Sequence, residues 1–223
     1  MTNRESPGEL AAQYERRFAP LREYRRRVWG VLTSSFFQKF IDPPSSVLDL
    51  GCGWGEFINQ IRAARKSGMD LNPDAAQHLA PEVQFLHHDC AQPWPVAPAS
   101  LDVVFTSNFF EHLPDKAALK AALAQAFAAL KPGGRLISMG PNIRCVPGAY
   151  WDFFDHHIAL TEKSLQEILE LTGFQITECH ARFLPYTAVG KREAPIWMLR
   201  LYLKLPLLWR LFGAQFLVIA RKP

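Results

Sequence analysis

The chain has 223 residues, 48% of them apolar and 21% charged, which suffices for one sizeable α/β domain with its own core. Its net charge of +4 is unevenly spread: residues 1–27 hold seven Arg against four acids, residues 181–223 hold eight Lys or Arg against Glu193, and the middle is net −6. An acidic centre argues against an enzyme that tracks nucleic acid, whose positive charge should be continuous. Basic ends beside aromatic residues suit an anionic partner or a membrane surface better.

In chain order, "YERRFAPLREYRRRVWGVLTSSFFQKF" reads as helical, with Leu21, Tyr24, Val28, Val31 and Leu32 on one stripe and Arg25, Arg26 and Arg27 alongside. Pro43 and Pro44 end it, which divides the chain into an N-terminal helical segment, 1–44, and a main domain, 45–223. The polar start "MTNRESPGEL" has no apolar signal core, so the expected location is cytoplasmic. "SVLDL" is a buried strand and "GEFINQIRAA" a helix rising from a glycine turn; "KSGMDL" is a second strand and "NPDAAQHL" the opening of a second helix. "EVQFLHHD" and "LDVVFTS" are the third and fourth strands, separated by the Pro-rich loop "AQPWPVAPAS". "DKAALKAALAQAFAAL" is an amphipathic helix stopped by "KPGG", and "RLISMG" is the fifth strand. After the irregular "YWDFFDHH", "TEKSLQEILELTG" is a helix opened by Thr161 and Ser164 and closed by Gly173. "FQITECHARF" and "QFLVIARKP" are the last strands. Strands alternating with helices imply a parallel, doubly wound sheet. The four cysteines, Cys52, Cys90, Cys145 and Cys179, form no CxxC pair, which argues against a disulfide framework or a structural zinc site.

The chemistry starts at "VLDLGCGWGEF". Gly51, Gly53 and Gly55 fall at the carboxyl end of a strand, where open parallel sheets bind ligands, and each lacks the Cβ that would hold a ligand off the backbone. The helix start beyond them offers N–H groups to a polar or anionic group. Asp49, Asp70 and Asp89 sit at three successive strand ends; Asp70 is placed to accept from ribose hydroxyls and Asp89 to bond an adenine edge. Together they describe a nucleoside cleft. The spacing is GxGxG and not the GxGxxG of dinucleotide sites, and a tight turn without a ligand does not account for the three acids.

"VLDLGCGWGEF", "GMDLNPDA", "FLHHDCAQPWP", "LDVVFTSNFFEHLPD" and "LKPGGRLISMGPN" resemble, in order, the motifs of class I S-adenosylmethionine-dependent methyltransferases. The resemblance covers roughly residues 45–180 and the last strand. It implies a Rossmann-like seven-stranded sheet, mostly parallel, with an antiparallel last strand inserted between the fifth and sixth. It also implies S-adenosyl-L-methionine as cofactor and S-adenosyl-L-homocysteine as product. By that resemblance Gly51, Cys52, Gly53 and Gly55 line the methionine moiety and Asp49 supports their loop. Asp70, followed by Leu71, holds the ribose; Asp89 and Cys90 contact adenine; Asn108 lies under the sulfonium. The sequence departs from the family in its Arg-rich N-terminal segment and in residues 185–213.

Methyl transfer is an in-line displacement that needs orientation, and a hydroxyl acceptor also needs a base. The candidates are His112 in "FFEHL" and His156 and His157 in "YWDFFDHH", with Asp152 and Asp155 near enough in sequence to orient an imidazole. His112 also reads as a polar loop cap, His87 and His88 read as structural, and no tight metal-ligand spacing is visible, so no metal is expected. Residues 185–213 read as a helical insertion, nearly all apolar from Ile196 to Phe212 except for Arg200, Lys204 and Arg210. Such a surface must be covered, by substrate as a lid, by a second copy in a homodimer, or by peripheral contact with the cytoplasmic face of a membrane; it is too short and too charged to span one. The expected activity is methylation of a small or lipid-linked acceptor, for instance a sugar hydroxyl of a surface glycan. The alternatives are a quinone-like or other lipophilic acceptor, or a non-catalytic nucleoside-binding protein.

Overall fold

A computed structural model describes residues 19–186 and 193–223. The N-terminal helix α1 (Arg22–Ser35) precedes a seven-stranded sheet of β1 (Ser46–Leu50), β2 (Arg65–Asp70), β3 (Val83–His87), β4 (Leu101–Ser107), β5 (Leu130–Pro141), β6 (Gln175–His180) and β7 (Gln215–Arg221). The spatial order is β3-β2-β1-β4-β5-β7-β6; β7 runs antiparallel to both of its neighbours, and the other pairs are parallel. This is the order and direction that the motif resemblance implies.

Sequence explains the elements. Helix α2 (Lys116–Ala129) starts where the Asp115 carboxylate accepts from Ala118 N at 2.8 Å. Helix α3 (Glu162–Thr172) opens on a reciprocal Thr161–Ser164 capping box and ends at Gly173, whose φ of 105° suits a residue without Cβ. Strands β1 and β7 are buried along nearly their whole length, because helices cover both faces of the sheet. On one face, α2 and α3 bury Leu119, Leu123, Leu165 and Leu169 against Leu48, Val104 and Val218. On the other, an aromatic cluster of Trp29, Phe37, Phe57, Phe105 and Phe183 packs beneath α1 and the late insertion.

Two expected helices take another form. Residues 55–64 are turns: Asn59 N bonds Gly55 O at 2.9 Å and Ile61 N bonds Phe57 O at 3.1 Å, but no regular helix propagates. The glycine loop occupies one end of the β1–β2 link, and Ala64 N and Arg65 N already bond Ser45 O at the other. Residues 73–78 form a 3-10 helix, not an α-helix, capped by Asn72 accepting from Asp74 N at 3.0 Å.

The insertion is helical where it is described: α4 (Ile196–Lys204) and α5 (Pro206–Phe212) lie between β6 and β7, while residues 187–192 fall outside the described residues. Residues 1–18 of the N-terminal segment also fall outside them.

Candidate functional site

The loops after β1, β2, β3 and β4 leave the same edge of the sheet, because those four strands are parallel neighbours. At β1, Gly51, Gly53 and Gly55 have φ of 70°, 49° and 72°, left-handed values that side-chain-bearing residues adopt only at a cost. A Cβ at Gly51 would strike the Phe109 ring, which comes from the loop after β4. The loop is held from below: Gly51 N and Cys52 N both donate to Met69 O at 2.9 and 3.1 Å, and Gly55 N donates to Cys52 O at 2.8 Å. Asp49 is buried beneath it, with the Ile58 N–H among its supports; burial, reinforced by the Glu56 and Asp70 carboxylates, pushes its pKa well above the usual carboxylate range.

Asp70 ends β2. One oxygen accepts from Gly53 N and the other from Asn72 N, both at 2.9 Å, so the carboxylate ties the glycine loop to the β2 loop. Each oxygen keeps lone-pair capacity for a further donor. Burial raises the Asp70 pKa, and the backbone donors of Asn72 and Gly53 oppose that shift. Leu71 is exposed beside it, and its carbonyl lies 3.0 Å from His87 Nε2. After β3, Asp89 accepts from Ala91 N at 3.0 Å, and Cys90 is buried with its carbonyl accepting from Trp94 Nε1 at 2.8 Å. Asn108 is exposed after β4 at φ 49°, held by its N–H to Met139 O at 2.9 Å. The structure thus brings Gly51, Gly53, Gly55, Asp70, Leu71, Asp89 and Asn108 to one edge. The Cys52 side chain is the exception: it is buried, and a Cβ on Gly68 of β2 would lie 2.8 Å from its Sγ. Only its backbone is available to the loop's outer surface.

The histidine group lies where the β4 loop meets the β5 loop. His112 Nδ1 is 3.1 Å from Asp155 Oδ2 and 3.0 Å from the Asp155 carbonyl. The loops are clamped by His157 N and Ile158 N donating to Glu111 O at 2.8 and 3.2 Å. Burial disfavours the His112 imidazolium, but the Asp155 and Glu111 carboxylates outweigh it and leave the pKa raised. Burial disfavours the Glu111 carboxylate too, and so raises that pKa. His156 is buried, its ring stacked on Phe153 at 5.1 Å and edge-on to His112 at 4.9 Å and to Tyr150 at 4.8 Å. His157 is exposed, as is Asp152. Glu111, His112 and His156 each bring one ligand atom within 4.8 Å of the others, a donor set that sequence spacing did not reveal.

Sequence reasoning also missed the brace on the glycine loop. Arg25 of α1 pairs with Glu56 at 2.6 Å, and Gln60 Nε2 donates to Arg26 O at 3.2 Å. The Arg22 guanidinium lies 5.0 Å over Trp54, which contacts His78 at 5.2 Å. Part of the N-terminal basic run therefore serves the loop and not an outside anion.

A GxGxG loop with left-handed glycines, a carboxylate at the end of β2 and this strand order define a nucleoside-binding member of the doubly wound folds. The methyltransferase-domain family matches residues 21–179, most of the chain, and the chain belongs to that family, the class I S-adenosylmethionine-dependent methyltransferases. It is 32% identical over 139 residues to a probable S-adenosylmethionine-dependent methyltransferase of Mycolicibacterium smegmatis, covering 59% of this chain and 52% of the relative. It is 34% identical over 99 residues to the ubiquinone biosynthesis O-methyltransferase of Idiomarina loihiensis, covering 40% of each. The match thus spans about half the length of these relatives or less. The solved S-adenosylmethionine-dependent methyltransferase of Archaeoglobus fulgidus superposes with a TM-score of 0.66 at 21% identity, covering 92% of this chain and 99% of that one, a likeness of fold. The cofactor is S-adenosylmethionine, and the cradle of left-handed glycines above Asp49 and Asp70 fits it.

Proposed function

We propose that the chain transfers a methyl group to a hydroxyl of a small or lipid-linked acceptor, with His112 as general base. The observation that carries this reading is the His112–Asp155 pairing at 3.1 Å, on the loop that follows β4 and so on the cofactor edge. With Nδ1–H donating to Asp155, His112 presents Nε2 as the acceptor for a hydroxyl proton, and the carboxylate stabilises the imidazolium that forms. Bound S-adenosylmethionine supplies an electrophilic methyl group and departs as S-adenosylhomocysteine. Gly51, Gly53 and Gly55 bring backbone against its methionine part, Asp70 and Leu71 receive its ribose, Asp89 and Cys90 its adenine, and Asn108 lies toward the sulfonium. His156, itself packed between Phe153 and Tyr150, walls the His112 imidazole and limits its rotation; the exposed His157 stands at the rim.

Two acceptor classes remain in view. A sugar hydroxyl on a lipid carrier suits the apolar insertion, and a quinone-like phenol is suggested by the likeness to a ubiquinone biosynthesis O-methyltransferase. Transfer of labelled methyl from S-adenosylmethionine into lipid-linked saccharides or into quinols, followed by extraction, separates them. Label in neither, with S-adenosylhomocysteine still bound, leaves the non-catalytic reading. The Glu111–His112–His156 donor set favours a second arrangement, a divalent metal that polarises the acceptor oxygen. Full turnover after exhaustive chelation excludes it; loss restored by added metal replaces the base with the metal.

A further inference from the structure

Helices α4 and α5 each have one face built into the protein and one that is not. Ile196, Leu199, Tyr202, Leu203 and Trp209 pack into the aromatic cluster, where Trp209 meets Phe36 at 5.7 Å and Phe183 at 5.0 Å. The outer face leaves Trp197, Leu201, Leu207, Leu211 and Phe212 exposed, Trp197 at 65% and Leu207 at 67%. Arg200, Lys204 and Arg210 are exposed among them and form no ion pair among the described residues. No acidic residue occurs from Ile196 to Phe212.

Register places this face beside the site. Gln215, the first residue of β7, pairs with Pro141, the last of β5, so the insertion and the β5 loop leave the sheet side by side at the carboxyl edge. Asn142 N donates to Ala214 O at 3.0 Å, and Phe153 lies 6.2 Å from Tyr186. On that β5 loop, two to five residues from the histidine group, Trp151 and Phe154 are exposed at 54% and 86%.

We infer that the outer face of α4–α5, continued by Trp151 and Phe154, docks on an anionic lipid surface, with the acceptor site opening at the level of that surface. Apolar and aromatic side chains interleaved with cations on short helices are the composition of an interfacial segment: the rings and Leu side chains enter the headgroup boundary while Arg and Lys reach the phosphates. Among the described residues no helix is long and apolar enough to cross a membrane. Charge decides against a second copy, because a symmetric contact would set three cations against the same three without an acid between them. The surface stands on its own geometry; that it delivers a lipid-borne acceptor rests on the methyltransferase reading above.

Sedimentation of the full chain with phosphatidylcholine vesicles, with and without added phosphatidylglycerol, tests the inference. Binding should require phosphatidylglycerol and weaken as salt rises. Each cation near such a surface contributes about fivefold (about 1 kcal/mol), so replacing Arg200, Lys204 and Arg210 by Ser should weaken binding on the order of a hundredfold. Trp197→Ser with Leu207→Ser should weaken it at every salt concentration while the melting temperature holds, since both side chains lie outside the core. Failure to pellet with either vesicle, equal pelleting with both, or a dimer that shields Trp197 from quencher would overturn the proposal. Calorimetry with S-adenosylhomocysteine on the same preparation keeps the two readings apart. Cofactor binding without vesicle binding defeats only the surface; vesicle binding without cofactor binding defeats only the methyltransferase.

Discussion

The two halves of the carboxyl edge are built by different means. The half proposed for the cofactor is made of backbone: three left-handed glycines, loop N–H groups bonded to Met69 O of β2 and to Cys52 O, and one carboxylate bridging Gly53 and Asn72. The half proposed for the acceptor is made of side chains that meet across a long stretch of sequence, His112 with Asp155 and His156, and beside them lies an exposed apolar surface. Backbone geometry is dictated by residues adjacent in the chain. Meetings between loops depend on the sheet register that brings those loops together.

If that division is right, damage to the acceptor half should show as lost turnover and damage to the cofactor half as lost affinity. The largest effect is expected for His112→Ala: removal of a general base should lower turnover about 10²–10⁴-fold while calorimetric affinity for S-adenosylhomocysteine stays unchanged. A parallel loss of affinity would place His112 in the cofactor half.

Trp209 and Trp197 divide the insertion in the same way. Trp209→Ala empties a site among Phe36, Phe183 and His180 and should cost about 3–5 kcal/mol in denaturant unfolding, whereas Trp197→Ala should stay within about 0.5 kcal/mol. Equal costs would mean that the outer face is covered in the folded protein.

Asp70→Ala should weaken S-adenosylhomocysteine binding by about 1.5–3 kcal/mol, the range for hydrogen bonds to a charged acceptor. Equal affinity in calorimetry would remove Asp70 from the ribose site.

A smaller effect is expected in pH dependence. The Asp155 and Glu111 carboxylates raise the His112 pKa against burial, and His156 and Tyr150 line the same loop junction. A base works unprotonated, so the rate should climb with pH through a value above the ordinary 6.5 of histidine. Asp155→Asn removes one raising charge and should move that limb to lower pH while reducing the plateau. The stability that this pair contributes is fully present below the ordinary value and is lost as pH rises through the raised one. An unshifted limb would assign the titration to another group.

Legibility followed the same division. The seven strands and the glycine turn with its acidic neighbours could be read because "VLDLGCGWGEF" and the acidic strand ends are local patterns, and because β7's apolar run announces burial on both faces. Residues 55–64 misled because their helical pattern yields separate i→i−4 bonds, at Asn59 and Ile61, that do not join into a helix. Among the three histidines, sequence could not choose: His156 and His157 are adjacent, yet one is buried and the other exposed. Asp155 as the partner of His112, and Glu111 beneath both, depend on the clamp between the β4 and β5 loops. The Arg run looked like surface charge until α1 was seen lying over the glycine loop.

Helix α1 touches both ends of this arrangement. Arg25 reaches Glu56 behind the glycines, and the adjacent Tyr24 accepts through its hydroxyl from Ala194 N at the foot of α4. A shortened chain beginning at Ser45 would keep every residue named for the nucleoside and for the base. It would nonetheless lose α1, which bears on both the glycine loop and α4. The border at Pro43 and Pro44 therefore falls across a joint: α1 stands before it, inside the residues 21–179 that match the methyltransferase-domain family, while what it grips stands beyond it.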